Sequence, residues 1–458
     1  MDSAIIENSF HTLLDKCLEV TKADQVLVLF DEDFEPFRAI LNKVLIDRGC
    51  YAGLMMIPKG YQLKLLALTE TPFQANTIRI PDPVRAAIFA STVVLNVLNG
   101  DMETTSVRRA IIQQRRDVNC RFAHIPGVSA DILAVLAASP IDAIARDCEH
   151  LAWLLGEGHR LELVTKDQRG AEHTLSIRLD GWDSEPIMSP GVIPRGGWGN
   201  IPPGETFCCP ALDGIEGTVC INGSVPGHVL TTEDEMLLKF SAGRLAHWFG
   251  QSTSRGIQFL ENEQLKAKKV GDLNWNCFAE LGIGLNPTIS ALTGNSLFDE
   301  KVAGTVHIAL GDNSGFGHTI SSALHADLVT RAPTLRIDGR AVIQDGVSQF
   351  DSSAPRVAPA LTHADDVDPG ARVYLREARA QSIDGELWRR LTSANRVSLV
   401  RIADEAAARS ADLLANQIGT YDRVLVKDLL RACPTVGKHE TLSILRLLYH
   451  YRVLGIEP

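Results

Sequence analysis

The sequence predicts an α/β protein with an N-terminal β-α-β sheet domain, a mixed or antiparallel β-rich domain and a helical C-terminal extension. Three observations predict this fold class. Apolar strands alternate with helical segments in residues 1–160. Short strands with alternating apolar and polar residues follow in residues 161–350, separated by Gly, Pro and Asp. Residues 380–458 have helical spacing, and residues 351–379 are predicted to form the linker before them.

The first domain is predicted from its segments in chain order. Residues 2–22 place their apolar side chains at helical spacing. QVLVLFDED (25–33) has the continuous apolar run of a buried strand and ends in acids. A helical segment then stops at Gly49, YAGLMMIP (51–58) is predicted to be the next strand, and a further helix–strand unit includes residues 84–101. This order is typical of a parallel sheet, and no glycine-rich phosphate-binding motif follows its strands, which argues against a nucleotide cofactor.

The second domain and the linker are predicted from changes in the sequence pattern. Residues 160–226 contain short alternating segments, which favour an antiparallel sheet. Residues 231–250 begin with Thr and acids, which predicts a helix there. Strands and glycine loops return in residues 277–346. Pro, Ala, Ser, Thr and Asp dominate residues 351–370, as expected of a linker.

Length, charge and cysteine content limit the class of protein. The chain has 458 residues, which corresponds to about two or three domains. Its net charge is −11 and its pI is about 5.7, which argues against a nucleic-acid partner. No apolar run reaches the length of a transmembrane helix, and the N-terminus lacks the pattern of a secretory signal, so no membrane partner is expected. The 9 cysteines are scattered, which predicts free, mostly buried thiols in a reducing cytosol and a cytoplasmic protein.

Ionisable residues stand alone in several apolar segments of the second domain. His325 and Asp327 lie two apart in SSALHADLV, so both would point to one face of a strand. His307 is the one ionisable residue of GTVHIALG, and Glu280 is the one carboxylate of AELGIG. A buried carboxylate needs a partner, and a metal ion is one that offsets its desolvation. Glu205, after Pro-Pro-Gly, is a further candidate.

These residue types predict the kind of metal but leave another interpretation open. Nitrogen and carboxylate ligands suit zinc, manganese, cobalt or ferrous iron. The lack of cysteine ligands argues against a closed structural zinc site. Taken singly, a strand histidine is more often a hydrogen-bonded core residue, and Glu205 is equally well explained as a solvated loop acid. The metal hypothesis therefore depends on the whole set.

The motifs resemble a known family over roughly residues 25–346. GGWGNIPPGETFCCP, AELGIGLNP, DEKVAGTVHIALGDN and H-A-D, in this order, resemble the thermophilic aminopeptidases of the leucyl aminopeptidase or aminopeptidase T type. They also resemble a relative of similar fold, 2,5-dihydroxypyridine 5,6-dioxygenase, a non-haem iron enzyme. For the aminopeptidases, the resemblance implies two metal ions between an N-terminal α/β domain and a C-terminal domain. It implies the metal ligands Glu205, Glu280, His307, His325 and Asp327.

The sequence also departs from the aminopeptidase pattern. Ser314 stands where the peptidases have a tyrosine, and the loop between His307 and His325 is short, as in the dioxygenase branch. The family usually has paired glycines where this chain has Gly-Phe-Gly-His, ending in His318. Taken alone, His318 is more often an ordinary loop histidine. As an extra site residue, it would join Glu280 as a catalytic candidate.

Two mechanisms use nearly the same atoms. In a metal-dependent hydrolase, a divalent ion lowers the pKa of a bound water, and Glu280 binds the metal or accepts the proton. In an iron-dependent dioxygenase, two histidines and one carboxylate hold Fe(II). His307, His325 and Asp327 would supply these ligands, or Glu280 would replace one of them. We expect an aminopeptidase-like hydrolase that acts on a peptide, with the ring-cleaving dioxygenase as the alternative.

A non-catalytic scaffold is the third interpretation. The tail faintly resembles a winged-helix module, but its charges roughly balance, so DNA binding is weakly supported. A role in docking a partner protein, in dimerisation or as a cap over the site is preferred. Retention of all five ligand candidates argues against a degenerate enzyme. The family resemblance implies a homo-oligomer.

Overall fold

The computed structural model describes most of the first 349 residues. The described ranges are 3–59, 81–98, 120–179 and 186–349, without residues 126, 194, 196 and 315–317, and short strands nearer the C-terminus. Two compact units are present, the first formed by Met1–Ile193 and Trp198–Ser352 and the second by Pro194–Gly197 and Ser353–Pro458. The domain boundaries drawn from the sequence at residues 160, 350 and 379 stay a prediction.

The described backbone of the second unit is a small antiparallel sheet. Its strands are Arg372–Leu375, Val424–Leu425 and Leu454–Glu457, with the first strand in the middle. The predicted linker and the predicted helices of residues 380–458 lie outside the described residues.

The first unit contains helices and strands that alternate at first and then give way to strands. The helices are α1 (Ser3–Thr12), α2 (Glu35–Asp47), α3 (Asp82–Ala90), α4 (Ala130–Ala138), α5 (Ile141–Glu157), α6 (Arg255–Val270) and α7 (Ser296–Asp299). The strands are β1 (Gln25–Phe30), β2 (Tyr51–Met56), β3 (Val93–Val97), β4 (Arg121–His124), β5 (Arg160–Lys166), β6 (Glu172–Arg178), β7 (Ile187–Ser189), β8 (Trp198–Asn200), β9 (Glu205–Cys208), β10 (Ile215–Ile221), β11 (Ser224–Val225), β12 (His228–Val229), β13 (Met236–Ser241), β14 (Arg244–Phe249), β15 (Phe278–Gly284), β16 (Val306–Gly311), β17 (His325–Thr330), β18 (Thr334–Ile337), β19 (Arg340–Gln344) and β20 (Val347–Ser348).

The predicted parallel sheet is present. Its order is β2-β1-β3-β4-β8, and all neighbours are parallel. Successive residues of β1 belong to two different apolar clusters, Val28 to one and Leu29 to the other, because neighbouring side chains of a strand point to opposite faces. Helix α2 ends as predicted, since Gly49 follows it with a φ of 68°, a conformation that glycine adopts without strain.

Two antiparallel sheets form the β-rich part of the first unit. The larger has the order β14-β13-β10-β6-β5-β18-β19-β20, and the smaller has the order β12-β11-β17-β16-β15-β9-β7. Buried residues of both sheets, among them Leu163, Val219, Leu281 and Ile308, share one apolar cluster with residues of α5 and α6. This core leaves the other face of the smaller sheet for polar side chains. The predicted fold class is therefore confirmed in the described residues.

The helix predicted for residues 231–250 is wrong. Thr231 and Asp234 do form a capping box, but it closes a single 3₁₀ turn. The chain then forms the antiparallel hairpin β13–β14. Its turn contains Ala242 and Gly243 with φ values of 46° and 66°, the sign that tight hairpin turns require. Burial alternates along β13, as a strand covered on one face requires.

The described cysteines are free thiols, as predicted. All are buried except Cys50, which is half-buried. Burial raises the pKa of the Cys17 thiol to about 12, so this side chain behaves as an apolar group. Among the described residues, no helix is long and apolar enough to cross a membrane.

A buried ion pair joins the amino ends of β1 and β4. Arg121 contacts Asp24 and also donates to the backbone oxygen of Glu19 at 3.0 Å. The exposed fractions of the two side chains are 5% and 2%. Burial opposes ionisation of Asp24, but hydrogen bonds from Thr21, Arg121 and Thr92 lower its pKa to about 2. The pair therefore stays charged at neutral pH.

We expect Arg121→Met to lower the free energy of unfolding by about 3–5 kcal/mol, because it leaves Asp24 buried without its cation. Urea unfolding at pH 7 measures this change. The matched control is Arg85→Met, which removes the exposed pair between Arg85 and Asp82 on α3 and should change stability little. Equal effects of the two substitutions would contradict the structural role of Arg121.

Candidate metal centre

The candidate site lies on one face of the smaller antiparallel sheet. Ala309 on β16 is paired with Glu280 on β15 and with Asp327 on β17. His307, two residues before Ala309, therefore shares this face. Glu205 on β9 is paired with Gly284, two residues along from Gly282, which is the partner of His307. His325 on β17 is paired with Gly311, two residues after Ala309, so the strand register brings all five predicted ligands to one surface. The residues between them face the core.

A glycine makes room for the histidine. A Cβ atom built on Gly282 would lie 2.1 Å from Nε2 of His307, closer than atoms can approach. The imidazole therefore lies directly over the backbone of β15. This contact is a physical reason for the first glycine of the AELGIG motif.

Two groups of side chains are close enough to hold a cation. Nε2 of His307 lies 3.3 Å from Oε1 of Glu280 and 3.9 Å from Oε2 of Glu205. The ligand atoms of these three residues all lie within 4.8 Å of one another, and the same is true of Glu300, His307 and Asp327. Ligand bonds of about 2.0–2.2 Å to a divalent ion would fit such spacings after small adjustments.

His325 stands at the more open side of the site and belongs to neither group of three. Its Nε2 lies 3.4 Å from Oδ1 of Asp327 and 3.7 Å from Oε2 of Glu280. Its Nδ1 lies 2.7 Å from the backbone oxygen of Asp312 and donates to it. A carbonyl that holds one ring nitrogen in this way fixes the orientation of the ring, so that the other nitrogen faces the carboxylates.

Three buried polar atoms of the site have no hydrogen-bond partner among the described residues: Oε2 of Glu280, Nδ1 of His307 and Oδ1 of Asp327. Buried polar atoms are rarely left in this state, and a bound ion is one explanation. The donors are imidazole nitrogens and carboxylate oxygens, which suit a divalent transition metal. The residues present therefore fit a metal ion.

Glu300 and Lys301 also belong to the site, although neither was predicted from the sequence as a site residue. Both follow the single turn α7. Lys301 is completely buried; its Nζ lies 3.1 Å from Oε1 of Glu205 and also contacts Glu300. The adjacent Glu-Lys pair in the DEK motif could have indicated a further pair of site residues, but the burial of this pair depends on how α7 packs.

Burial and neighbouring charges shift the pKa of the carboxyl groups in opposite directions. Burial raises the pKa of Glu280, against the opposing effect of His307 and His325. Burial and the charge of Glu205 raise the pKa of Glu300 to about 8. For Asp327, the charge of His325 outweighs burial and lowers the pKa to about 2. The cluster thus combines four acids with one lysine, and the charge of the acids depends on what lies beside each of them.

The two histidines are shifted toward the charged form. Burial opposes protonation of His307, but its contact with Glu280 and the charge of Asp327 raise its pKa to about 9. Burial likewise opposes protonation of His325, but Asp327 raises its pKa to about 10. Without a metal, protons on these rings supply the positive charge that the carboxylates need.

The structure places His318 in the loop that precedes β17. Its backbone N–H donates to the oxygen of Asn313 at 3.4 Å, and neither group of three candidate ligands includes it. Ser314, at the position where the peptidases have a tyrosine, donates to Asp312 at 2.8 Å. The catalytic role of His318 stays a prediction, as do the individual ligand roles.

We expect Gly282→Ala to weaken metal binding by about 10–100-fold, because the new methyl group must displace the ring of His307. The control is Gly53→Ala on β2, where the nearest atom to an added Cβ is 3.9 Å away. Metal titration followed by calorimetry compares the two variants with the wild type. An unchanged affinity of Gly282→Ala would mean that His307 does not bind the metal.

Comparisons with known proteins support the fold. No family model and no curated protein sequence matches the chain. The structure of 2,5-dihydroxypyridine dioxygenase from Pseudomonas putida KT2440 matches with a TM-score of 0.57 and 16% identity, over 77% of this chain and 99% of that one. AmpT from Thermus thermophilus, an aminopeptidase T, matches with a TM-score of 0.53 and 15% identity, over 76% and 99%. Both names match the superfamily that the motifs resemble, and at this identity they show a shared fold.

Proposed function

We propose that the chain is a metal-dependent hydrolase of aminopeptidase type, which cleaves a peptide or amide bond. One observation carries the proposal. Glu280 is a buried carboxylate with both histidines near its oxygens, and three further acidic side chains surround the same site. A hydrolase needs metal ligands and, in addition, a carboxylate that accepts a proton from water. This cluster has enough carboxylates for both tasks.

The side chains of the site would have separate roles. Glu205, His307 and Asp327 would hold the ion, which when bound lowers the pKa of a water and polarises the scissile carbonyl. Glu280 is either a further ligand or the proton acceptor. Burial raises its pKa, which makes its carboxylate a better proton acceptor. His325 is the most accessible of the described histidines facing Glu280, with 21% of its side chain exposed.

An iron-dependent ring-cleaving dioxygenase is the second candidate. His307, His325 and Asp327 lie on neighbouring strands and form a set of two imidazoles and one carboxylate, the ligand set of many non-haem Fe(II) oxygenases. The dioxygenase from Pseudomonas putida shares the fold. In this case, Glu280 would be a neighbour of the site without a required role in proton transfer.

Activity assays on protein loaded with defined metals separate the two candidates. Zinc, manganese or cobalt protein should release amino acids from short peptides or aminoacyl amides. Anaerobically prepared Fe(II) protein should not consume oxygen with 2,5-dihydroxypyridine. Oxygen uptake with ring cleavage, together with no hydrolysis under any metal, would replace the hydrolase by the dioxygenase. A chain that binds no metal would favour the scaffold.

We further propose a cytoplasmic homo-oligomer whose C-terminal extension, from residue 380, docks a partner protein. The buried free thiols fit a reducing compartment. Light scattering on the purified chain and on a truncation at residue 379 tests the oligomeric state and the part that the extension plays in it.

A further inference from the structure

Lys301 is fixed inside the candidate centre by its backbone. Its N–H donates to the oxygen of Phe298 at 3.0 Å, and its own oxygen accepts from the N–H of Asn286 at 2.8 Å. The next residue, Val302, packs closely against β15, since a Cβ atom on Gly284 would lie 2.1 Å from the backbone oxygen of Val302. The backbone of Lys301 is therefore fixed, and the complete burial of its side chain leaves the ammonium group little freedom to move.

The ammonium of Lys301 contacts one carboxylate from each of the two candidate ligand groups. It lies 3.1 Å from Oε1 of Glu205, which belongs to the first group, and it contacts Glu300, which belongs to the second. Glu205 turns its other oxygen, Oε2, toward His307 at 3.9 Å. One carboxylate can thus bind the ammonium through one oxygen and a metal ion through the other.

The charges agree with a resident cation at this position. An ammonium with no exposed surface is stable only beside negative charge, and the carboxylate of Glu205 provides it, while Glu300 contacts the same ammonium. Both candidate ligand groups also require the same His307. A shared imidazole, together with a lysine whose ammonium already contacts one carboxyl group of each set, leaves room for one further cation.

We propose that the ammonium of Lys301 occupies one of two cation positions in this carboxylate cluster, so that the centre binds a single divalent ion. The inference rests on the proposed metal centre and adds its stoichiometry. Lys301 is then a positioning residue that orients Glu205 and Glu300 through its ammonium group. A substrate amine would have no second metal to bind, in contrast to the two-metal centre that the family resemblance implies.

Metal counting on lysine variants tests the proposal. The wild type, Lys301→Met, Lys301→Arg and the surface control Lys266→Met, whose side chain is 72% exposed, are stripped with a chelator and saturated with Mn²⁺. Elemental analysis gives the number of ions per chain. Electron paramagnetic resonance separates single ions from coupled pairs. We expect about one ion in the wild type, the Arg variant and the control, and about two, with a coupled-pair signal, in Lys301→Met.

Several outcomes would overturn the proposal, and they are distinguishable from failure of the proposed function. Two ions in the wild type contradict the proposal and leave the metal centre intact. One ion in Lys301→Met shows that the ammonium does not occupy a cation position. No ion in the wild type overturns the metal centre itself. If circular dichroism shows that Lys301→Met is unfolded, Lys301→Gln takes its place, and the wild-type count still decides.

Discussion

Glu280→Gln is expected to lower kcat by about 10²–10⁴-fold, the usual effect of losing a general acid–base group. The substitution keeps the shape of the side chain but removes the charge that faces His307 at 3.3 Å and His325 at 3.7 Å. An amide is a poor proton acceptor and a weak metal ligand, so both possible roles of Glu280 fail together. The measurement is steady-state hydrolysis with metal at saturation.

A matched control and a second readout make this result specific. Glu233→Gln changes an exposed acid in the turn before β13, and it should leave kcat unchanged. Metal content separates the two roles of Glu280. Loss of turnover with metal retained indicates a proton acceptor, whereas loss of both indicates a ligand. Wild-type kcat in Glu280→Gln would remove Glu280 from the mechanism.

Metal binding is expected to release protons and to strengthen steeply as the pH rises. The pKa of His307 is raised to about 9 and that of His325 to about 10 in the metal-free protein, after burial is outweighed by the acids nearby. At pH 7 both rings are therefore protonated, whereas a histidine that binds a metal must lose its proton. For each proton displaced, the apparent affinity should rise about tenfold per pH unit between pH 6 and 8.

Calorimetric titration in two buffers of different ionisation enthalpy counts the protons that are released. We expect between one and two per metal ion. An affinity that does not change between pH 6 and 8, with no proton release, would mean that neither histidine binds the metal.

The same shifts give the metal-free chain a pH-dependent stability. Both histidines have a higher pKa in the folded chain than the unfolded value of about 6.5. Their contribution is therefore fully present below about pH 6.5 and is lost as the pH rises through about 9–10. Urea unfolding of the metal-free protein should give a lower free energy of unfolding at pH 10 than at pH 7, and an equal value at both pH values would contradict the expected contribution of the histidines.

The fold was predictable from the sequence in the segments whose local pattern of apolar residues matched their burial in the folded chain. The apolar run of β1 and the glycine after α2 identify the parallel sheet without reference to distant contacts. The hairpin β13–β14 was mistaken for a helix because its capping box is a real local signal. The alternation of apolar and polar residues after the capping box and the Ala-Gly turn indicate the hairpin that the structure contains. Helix α6 was missed, although Ser254 caps its start and Gly271 ends it.

The candidate site was predictable from isolated ionisable residues in apolar strands. Such residues cannot be buried alone, so Glu280, His307 and Asp327 had to meet a partner, and the register brings them together. Glu300 and Lys301 were missed because a Glu-Lys pair beside a short turn is usually a solvated surface pair. Only the packing of α7 against β17, and of the residues after α7 against β15, shows that both side chains are directed inward.

An anomalous diffraction map of metal-loaded crystals tests directly whether the carboxylate–histidine cluster binds a metal ion. Data collected on both sides of the zinc or iron absorption edge locate the ion and identify the element. We expect a peak about 2.0–2.3 Å from a ring nitrogen of His307 and from a carboxylate oxygen of Glu205. If crystals grown with saturating metal show no peak in this cluster, these residues do not form a metal centre.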